Sequence, residues 1–173
     1  MTQPLQINRD RTAVLIMDFQ QRIINNVASD PENVVKQASQ VLEGARSAGI
    51  PVIYVVHRGG PFAEYAPDIE IHEGVAPAAG EMVITKIRPG PFSTTNLDVT
   101  LREMGRNNLV IMGVATSGCV LSCVRWAVDV NYKFTVIADA CSDADPEVHR
   151  VLTEKVYPRQ GTVVNTQDFL NAI

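Results

Sequence analysis

Residues 108–120 read Asn-Leu-Val-Ile-Met-Gly-Val-Ala-Thr-Ser-Gly-Cys-Val, and they join an apolar run, Asn108 to Val114, to a segment with a helical pattern. A short apolar run without polar alternation is typical of a strand that is buried on both faces of a parallel sheet. A cysteine at the start of a helix lies near unpaired backbone N–H groups, which can lower the pKa of a thiol and bind an oxyanion. The stretch therefore predicts a strand-to-helix turn that carries a nucleophile, Cys119.

Apolar runs of strand length alternate with helical patterns on both sides of this stretch. Six strands are predicted: Thr12 to Phe19, Pro51 to Arg58, Glu81 to Ile87, Asn108 to Val114, Lys133 to Cys141 and Gly161 to Thr166. The alternation is typical of a three-layer, Rossmann-like α/β fold, in which helices cover both faces of a parallel sheet. We expect a single domain over residues 1–173, with the strand order 3-2-1-4-5-6 of such folds.

Four helices are predicted between these strands, and a short helix is expected after Thr166. The clearest has an apolar stripe at helical spacing, Pro31 near its start and Gly49 just past its end. The stripe consists of Val34, Val35, Ala38, Val41, Leu42 and Ala45. The others are predicted at about Thr95 to Met104, Gly118 to Val130, and from Asp145 onward.

Two segments indicate contacts beyond an ordinary surface. The helix from Gly118 to Val130 carries Trp126 and is apolar nearly all round, so it is buried either within the domain or in a subunit interface. The segment from Gly59 to Gly80 is long, rich in Gly, Pro and Ala, and without a helical or strand pattern. Such segments tend to cover functional sites or contact partners. We therefore expect a homo-oligomer, a dimer or larger.

Composition excludes several classes of partner. The formal net charge is -4 and Lys and Arg do not cluster, which gives no electrostatic reason to expect nucleic acid or an anionic membrane. No run approaches the ~18 apolar residues of a membrane span. The polar segment from Met1 to Arg11 does not resemble a secretory signal, so a cytoplasmic location is expected. Three cysteines cannot all pair within one chain, and an unpaired cysteine is either a core residue or a reactive one.

Ligands of open parallel sheets bind beyond the carboxyl ends of the strands, close to the point where the strand order reverses. Asp18 and Lys86 lie at the ends of two predicted strands, and Cys119 lies in the turn after a third. Taken singly, each has an ordinary structural explanation: a capping aspartate, a lysine reaching the surface and a core thiol. Together they provide a proton acceptor, a cation and a nucleophile, which covalent catalysis on an acyl group requires.

Three motifs resemble those of the isochorismatase-like cysteine hydrolases. They are Ile-Met-Asp-Phe-Gln around Asp18, Thr-Lys-Ile-Arg-Pro-Gly-Pro-Phe around Lys86 and the turn around Cys119, and the resemblance extends from Thr12 to about Asp168. This superfamily includes nicotinamidases, N-carbamoylsarcosine amidohydrolase and streptothricin hydrolase. The resemblance implies a six-stranded fold, an Asp18, Lys86, Cys119 triad and a cis peptide bond between Val114 and Ala115. It also implies an oxyanion hole formed by the backbone N–H groups of Ala115 and Cys119.

The resemblance implies hydrolysis of a C–N bond in a small amide or lactam through a thioester. Isochorismatases proper cleave a vinyl ether and lack the cysteine, so Cys119 favours C–N cleavage. Two alternatives stay open: hydrolysis of an ether or ester, and a non-catalytic or redox-sensing domain. Nicotinamidases hold a metal with an Asp-x-His pair, whereas the corresponding region here begins His57-Arg58-Gly59 and the next histidine is His72. We therefore expect neither a metal nor another cofactor.

Several other residues are assigned from their positions. Gln20, His57, Arg88 and Phe92 are candidates for substrate contacts, because they follow triad positions or lie in segments expected to line the pocket. Other residues are expected to have structural positions: Cys123 and Cys141 pack in the core, Asp139 and Asp143 cap turns, and His149 faces solvent.

Overall fold

A parallel sheet of six strands forms the centre of the molecule, in the order β3-β2-β1-β4-β5-β6. The structure is a computed structural model that describes residues 5–64 and 66–173. The strands are β1 (Thr12–Met17), β2 (Val52–His57), β3 (Met82–Lys86), β4 (Asn108–Val114), β5 (Lys133–Ser142) and β6 (Thr162–Val164). Every neighbouring pair is parallel. The predicted fold class and strand order are confirmed.

Helices cover both faces of the sheet. They are α1 (Gln21–Val27), α2 (Pro31–Ser47), α3 (Leu97–Glu103), α4 (Leu121–Asp129), α5 (Pro146–Val151) and α6 (Thr166–Ala172). A π-helical turn, Thr116–Val120, leads into α4, and a second one, Leu152–Val156, extends α5. No helix in residues 5–64 and 66–173 has the length and apolar character to cross a membrane.

The central strands are apolar because both of their faces are covered. All six residues of β1 are buried, and so are five of the six in β2. The edge strand β3 differs, since Met82 and Val83 are exposed while Lys86 at its end is buried. The buried lysine therefore lies at the carboxyl edge of the sheet, where the sequence predicts the site.

Local signals explain where α2 begins and what it buries. The Asp30 side chain accepts a hydrogen bond from the N–H of Asn33, and Pro31 occupies the first turn. The residues it buries are Val34, Ala38, Val41, Leu42 and Ala45. By contrast, α1 has only two buried residues, Ile23 and Ile24, and its apolar pattern is too short to predict a helix.

The segment from Gly59 to Gly80 contains three short 3-10 turns, Gly60–Phe62, Pro67–Ile69 and Glu73–Val75. Its second half packs beside the start of α1, since Gln20 and Ile71 form an isolated antiparallel bridge. Tyr65 of this segment lies outside the described residues, as do residues 1–4 of the amino-terminal segment on which the expected absence of a secretory signal rests.

Candidate active site

Asp18 and Lys86 form a buried ion pair at the carboxyl edge of the sheet. Oδ2 of Asp18 lies 2.7 Å from Nζ of Lys86, and the lysine side chain is 1% exposed. Asp18 ends β1 with a φ of 61°, in the left-handed region that Asp tolerates better than most residues. Lys86 also donates a hydrogen bond to the carbonyl oxygen of Arg88 at 3.2 Å. The two strands on either side of β2 therefore bring opposite charges together.

Burial and pairing act in opposite directions on Asp18. Burial raises the pKa of its carboxyl group to about 6, although the charge of Lys86 and its hydrogen bond oppose the rise. The second carboxylate oxygen, Oδ1, is buried and accepts no conventional hydrogen bond from the described residues. Asp18 is therefore ionised near neutral pH and has one oxygen available as a proton acceptor.

Cys119 lies in the π-helical turn, four residues after the end of the Val114–Ala115 peptide bond. Its Sγ approaches the carbonyl oxygens of Ala115 at 3.6 Å and Met17 at 4.0 Å, and the residue is 2% exposed. Burial raises the pKa of the thiol well above its usual value, and the neighbouring Asp18 raises it further while Lys86 opposes. The sequence-based expectation of a lowered thiol pKa is therefore wrong, because burial and a carboxylate outweigh the cation and the helix start. The resting side chain is a thiol, which needs a base before it can attack.

Gly113 makes room for the thiol. A Cβ atom at this position would lie 2.9 Å from Sγ of Cys119 and 3.1 Å from the carbonyl oxygen of Met17. Real Cβ contacts are rarely this short, so a side chain here would displace the sulfur. The sequence contains this signal, a glycine at the end of an apolar strand, but the distance to the thiol depends on the fold.

The turn between β4 and Cys119 has an unusual backbone. The Val114–Ala115 peptide bond is cis, which is the geometry implied by the resemblance. The carbonyl oxygen of Ala115 accepts hydrogen bonds from the N–H groups of Gly118 at 3.1 Å and Val120 at 3.4 Å. The backbone of the turn thus closes around Ala115.

Three side chains from outside the turn hold it in place. Asp143 accepts from the Ser117 N–H at 2.7 Å, and the Tyr157 hydroxyl donates to the Thr116 carbonyl oxygen at 2.7 Å. The Thr116 hydroxyl and Nδ1 of His149 lie 2.8 Å apart. The prediction that His149 faces solvent is wrong, because α5 brings its ring against the turn that carries Cys119. The predicted turn-capping position of Asp143 is confirmed.

Two of the four candidates for substrate contacts surround the end of β2. Gln20 is fully buried, and its amide bonds only backbone: Oε1 accepts from the His57 N–H, and Nε2 donates to the carbonyl oxygens of Ile69 and His57. Through these bonds, the Gln20 side chain joins the end of β2 to the segment from Gly59 to Gly80. The His57 ring is half-buried and meets the Phe62 ring edge-on, with 5.4 Å between centroids. Burial lowers the pKa of His57, and the charge of Lys86 lowers it further.

The other two candidates follow β3. Arg88 is exposed, and its carbonyl oxygen rather than its guanidinium contacts Lys86. Phe92 is buried against α4, where its ring stacks on Trp126 with centroids 6.4 Å apart and meets Tyr132 at 5.8 Å. Phe92 thus joins the loop after β3 to the helix that follows the nucleophile.

Comparison with known proteins places the chain in a family. The isochorismatase domain model matches residues 12–168, which is most of the chain and contains Asp18, Lys86 and Cys119. The chain belongs to the isochorismatase family. It is therefore an isochorismatase-family hydrolase.

Relatives of this isochorismatase-family chain match it over most of its length. This chain is 32% identical to the isochorismatase family protein YddQ of Bacillus subtilis over 157 residues. The alignment covers 86% of this chain and 85% of YddQ. The chain is 28% identical to the ureidoacrylate amidohydrolase RutB of Stutzerimonas stutzeri, over 84% of this chain and 75% of RutB. Among solved structures, N-carbamoylsarcosine amidase from Thermoplasma acidophilum superposes with a TM-score of 0.77 and 28% identity, over 90% of this chain and 96% of that one.

In residues 5–64 and 66–173, no group of three or more His, Cys, Asp or Glu side chains is arranged to hold a metal ion. Cys123 and Cys141 are buried free thiols whose pKa burial raises, so the prediction that they pack in the core is confirmed. Cys119 differs from both in lying beside the Asp18–Lys86 ion pair.

Proposed function

We propose that this isochorismatase-family protein is a cysteine-dependent amidohydrolase, which cleaves a C–N bond of a small amide or lactam through a thioester. The observation that carries the proposal is the buried Asp18–Lys86 pair beside the Cys119 thiol. A thiol with a raised pKa is a weak nucleophile by itself, and an adjacent base with a pKa near neutrality can activate it.

Acylation begins when the thiol proton moves to Asp18 as Sγ attacks the carbonyl carbon of the substrate. The backbone N–H groups of Ala115 and Cys119 are the donors that we assign to the oxyanion of the tetrahedral intermediate. Asp18 then gives the proton to the nitrogen, the C–N bond breaks, and the amine leaves. Lys86 holds Asp18 in place and offsets negative charge throughout this step.

Deacylation reverses the direction of the proton. Water attacks the thioester carbonyl while Asp18 accepts one of its protons. The C–S bond then breaks, the acid leaves, and the proton returns to Sγ. One water and one amide thus give one acid and one amine, whereas one water and one lactam give a single ring-opened product that carries both groups.

The names of two relatives support C–N hydrolysis over the alternatives. RutB is named an ureidoacrylate amidohydrolase, and the Thermoplasma acidophilum neighbour is named an N-carbamoylsarcosine amidase. A thioester route suits amides as well as esters, so an ester substrate is the nearest competing proposal. The position of Asp18 favours amides over esters as substrates, because an amine leaving group needs a proton from Asp18 more than an alkoxide does.

The proposal is tested with matched panels of linear amides, N-carbamoyl compounds, lactams and esters, and release of amine or ammonia is measured. Enzyme quenched during turnover is expected to carry an acyl adduct on Cys119, and on neither Cys123 nor Cys141, by peptide mass spectrometry. Cys119→Ala and Cys119→Ser are expected to be nearly inactive. Turnover of Cys119→Ala at the wild-type rate would overturn the thioester route, and turnover of esters alone would overturn the assignment to C–N bonds.

A further inference from the structure

The turn that carries Cys119 is anchored at consecutive residues by side chains that do not belong to it. Asp143 follows β5, His149 lies on α5, and Tyr157 follows the π-helical turn that extends α5. They bind, in order, the N–H of Ser117, the hydroxyl of Thr116 and the carbonyl oxygen of Thr116, at 2.7, 2.8 and 2.7 Å. None of the three contacts the Asp18–Lys86 pair in the described residues.

Of these three hydrogen bonds, the one between Thr116 and His149 is made by a side chain of the turn, and the other two are made by its backbone. Thr116 is 0% exposed, so its hydroxyl has no water to replace a lost partner. Burial lowers the pKa of His149, although the charge of Asp143 opposes this, and the ring is therefore neutral at pH 7. The Nδ1 atom of a neutral imidazole can accept a hydrogen bond from the Thr116 hydroxyl.

Thr116 occupies a sensitive place in the chain. It follows Ala115 directly, and the carbonyl oxygen of Ala115 accepts the hydrogen bonds that close the turn at Gly118 and Val120, on either side of Cys119. A shift of Thr116 therefore moves the Ala115 N–H and the nucleophile together.

We infer that Thr116 and His149 are positioning residues for the hydrolysis. Their hydrogen bond fixes the turn in the geometry from which Cys119 attacks and in which the backbone N–H groups of Ala115 and Cys119 receive the oxyanion. This inference rests on the proposed function. Neither side chain touches the reacting atoms in this account; each acts through the backbone of the turn.

A positioning role predicts a loss in kcat rather than in KM. The oxyanion is absent from the bound substrate and develops only on the way to the tetrahedral intermediate. Donors that are displaced by a fraction of an ångström therefore weaken the binding of the oxyanion more than that of the substrate. Thr116→Val keeps the shape of the side chain and removes the hydroxyl, and we expect kcat to fall on the order of 10- to 100-fold. Thr116→Ser keeps the hydroxyl and is expected to retain most of kcat.

The same bond is tested from the other side. His149→Leu removes Nδ1 and is expected to lower kcat as Thr116→Val does. His149→Asn places a polar atom near the position of Nδ1 and is expected to restore part of the rate. Because one hydrogen bond joins the two residues, the double variant Thr116→Val, His149→Leu is expected to be no slower than the slower single variant.

Thr166→Val is the matched control. Thr166, the first residue of α6, is also buried, and its hydroxyl donates a 2.8 Å hydrogen bond to Asp139 of β5. Neither residue belongs to the turn that carries Cys119. The variant is expected to lose stability without losing kcat. The kinetic constants are compared only after circular dichroism has established that each variant is folded; if Thr116→Val does not fold, the two His149 variants carry the test.

Three results would overturn the inference. The first is a kcat of Thr116→Val close to that of the wild type, or such a kcat of His149→Leu if Thr116→Val does not fold. The second is an equal loss of kcat in Thr116→Val and Thr116→Ser, and the third is a loss in the double variant that equals the product of the single losses. Cys119→Ala is assayed in parallel. An inactive Cys119→Ala beside a fully active Thr116→Val would contradict only the positioning role, whereas an active Cys119→Ala would contradict the proposed function.

Discussion

The two carboxylate oxygens of Asp18 have different environments, and the difference gives the residue its chemistry. Oδ2 pairs with Lys86 at 2.7 Å, while Oδ1 is buried without a conventional hydrogen bond from the described residues. A fully paired carboxylate would be a poor base, and an unpaired one in the same place would be protonated at neutral pH. The observed arrangement keeps Asp18 ionised and leaves one oxygen free.

The pH dependence of kcat/KM follows from this balance. Because burial raises the pKa of Asp18 to about 6, activity is expected to fall as the pH falls through that value and the base becomes protonated. Lys86 opposes the rise, so Lys86→Met is expected to move the acid limb to higher pH as well as to reduce the rate. The exposed Lys133, at the amino end of β5 and far from the carboxyl ends of the strands, provides the control variant Lys133→Met. An acid limb that stays in place in Lys86→Met would mean that another group titrates.

Sequence reasoning finds the residues of the site more readily than their ionisation. Asp18, Lys86 and Cys119 are predicted as a group because each lies at the end of an apolar run or in the turn after one, and the ends of parallel strands share one edge of the sheet. The direction of the thiol pKa is predicted wrongly, because it depends on how completely the fold buries the sulfur. The contact of His149 with Thr116 is missed for a similar reason, since the two residues are 33 positions apart.

At the scale of elements, β4 and the turn after it must approach each other closely. Gly113→Ala would place a Cβ atom 2.9 Å from Sγ of Cys119, and we expect the thiol to move and kcat to fall by at least about tenfold. Gly118→Ala serves for comparison, because its Cβ atom would meet its nearest neighbour, Cβ of Ala115, at an ordinary 3.7 Å. Steady-state kinetics on the two variants are expected to differ clearly. Equal losses would mean that the turn tolerates no side chain at either glycine.

Gln20 connects β2 with the segment from Gly59 to Gly80. Gln20→Leu leaves the N–H of His57 without its partner and removes one of the two hydrogen bonds to the carbonyl oxygen of Ile69, which Arg58 also contacts. A loss of about 1 to 3 kcal/mol in the free energy of unfolding is expected. Urea denaturation measures it. Gln40→Leu, on the exposed side of α2, is expected to change stability by less than about 0.5 kcal/mol. A higher KM with unchanged stability in Gln20→Leu would instead indicate the substrate contact that the sequence predicts.

The elements that the sequence predicts well are those with long apolar patterns. The bounds of β4 are predicted without error, and α2 is recognised from its stripe, its proline and its glycine. The helix α1 is not predicted, because seven residues with two buried apolar side chains give no readable period. The π-helical turn before α4 is not predicted either, since its hydrogen-bond pattern depends on the anchors that the rest of the fold supplies.

At the scale of the whole molecule, we propose that a second copy of the chain packs against the exposed Trp126 on α4. Trp126 is 43% exposed, and the exposed Arg125 and Asp129 on either side of it form no ion pair with the described residues. A twofold axis beside Trp126 would bring Arg125 of one copy to Asp129 of the other. We therefore expect at least a dimer in sedimentation at micromolar concentration.

Charge reversal tests this arrangement directly. Arg125→Asp and Asp129→Arg are each expected to weaken association, because each places like charges opposite one another. The double variant exchanges the two charges and is expected to restore the dimer. A wild-type monomer at micromolar concentration, or a double variant as weak as the single ones, would contradict the expected interface.

The strand order is the part of the whole-molecule architecture that residue patterns alone leave open. Alternating apolar and helical patterns predict a parallel sheet with helices on both faces, and many strand orders satisfy them. The close approach of Asp18 to Lys86 narrows these orders, because β1 and β3 can be no more than about two strands apart, and in the observed order β2 lies between them. Function-bearing residues thus constrain topology where hydrophobicity does not.

The attachment of the segment after β2 makes it an exchangeable cassette for protein engineering. Residues 69–72 are held to the frame by backbone bonds, from the Gln21 N–H to Glu70 at 3.0 Å and from the His72 N–H to Phe19 at 2.8 Å, as well as by the Gln20 amide. At the other end, Gly59 packs directly against the carbonyl oxygen of Ile87. Libraries that vary the length between Gly60 and Pro67 would leave both attachments unchanged, and each doubling of a flexible loop costs only about 0.6 kcal/mol. New substrate ranges can therefore be sought by varying this short segment, while the sheet and the proposed catalytic residues at its carboxyl edge stay the same.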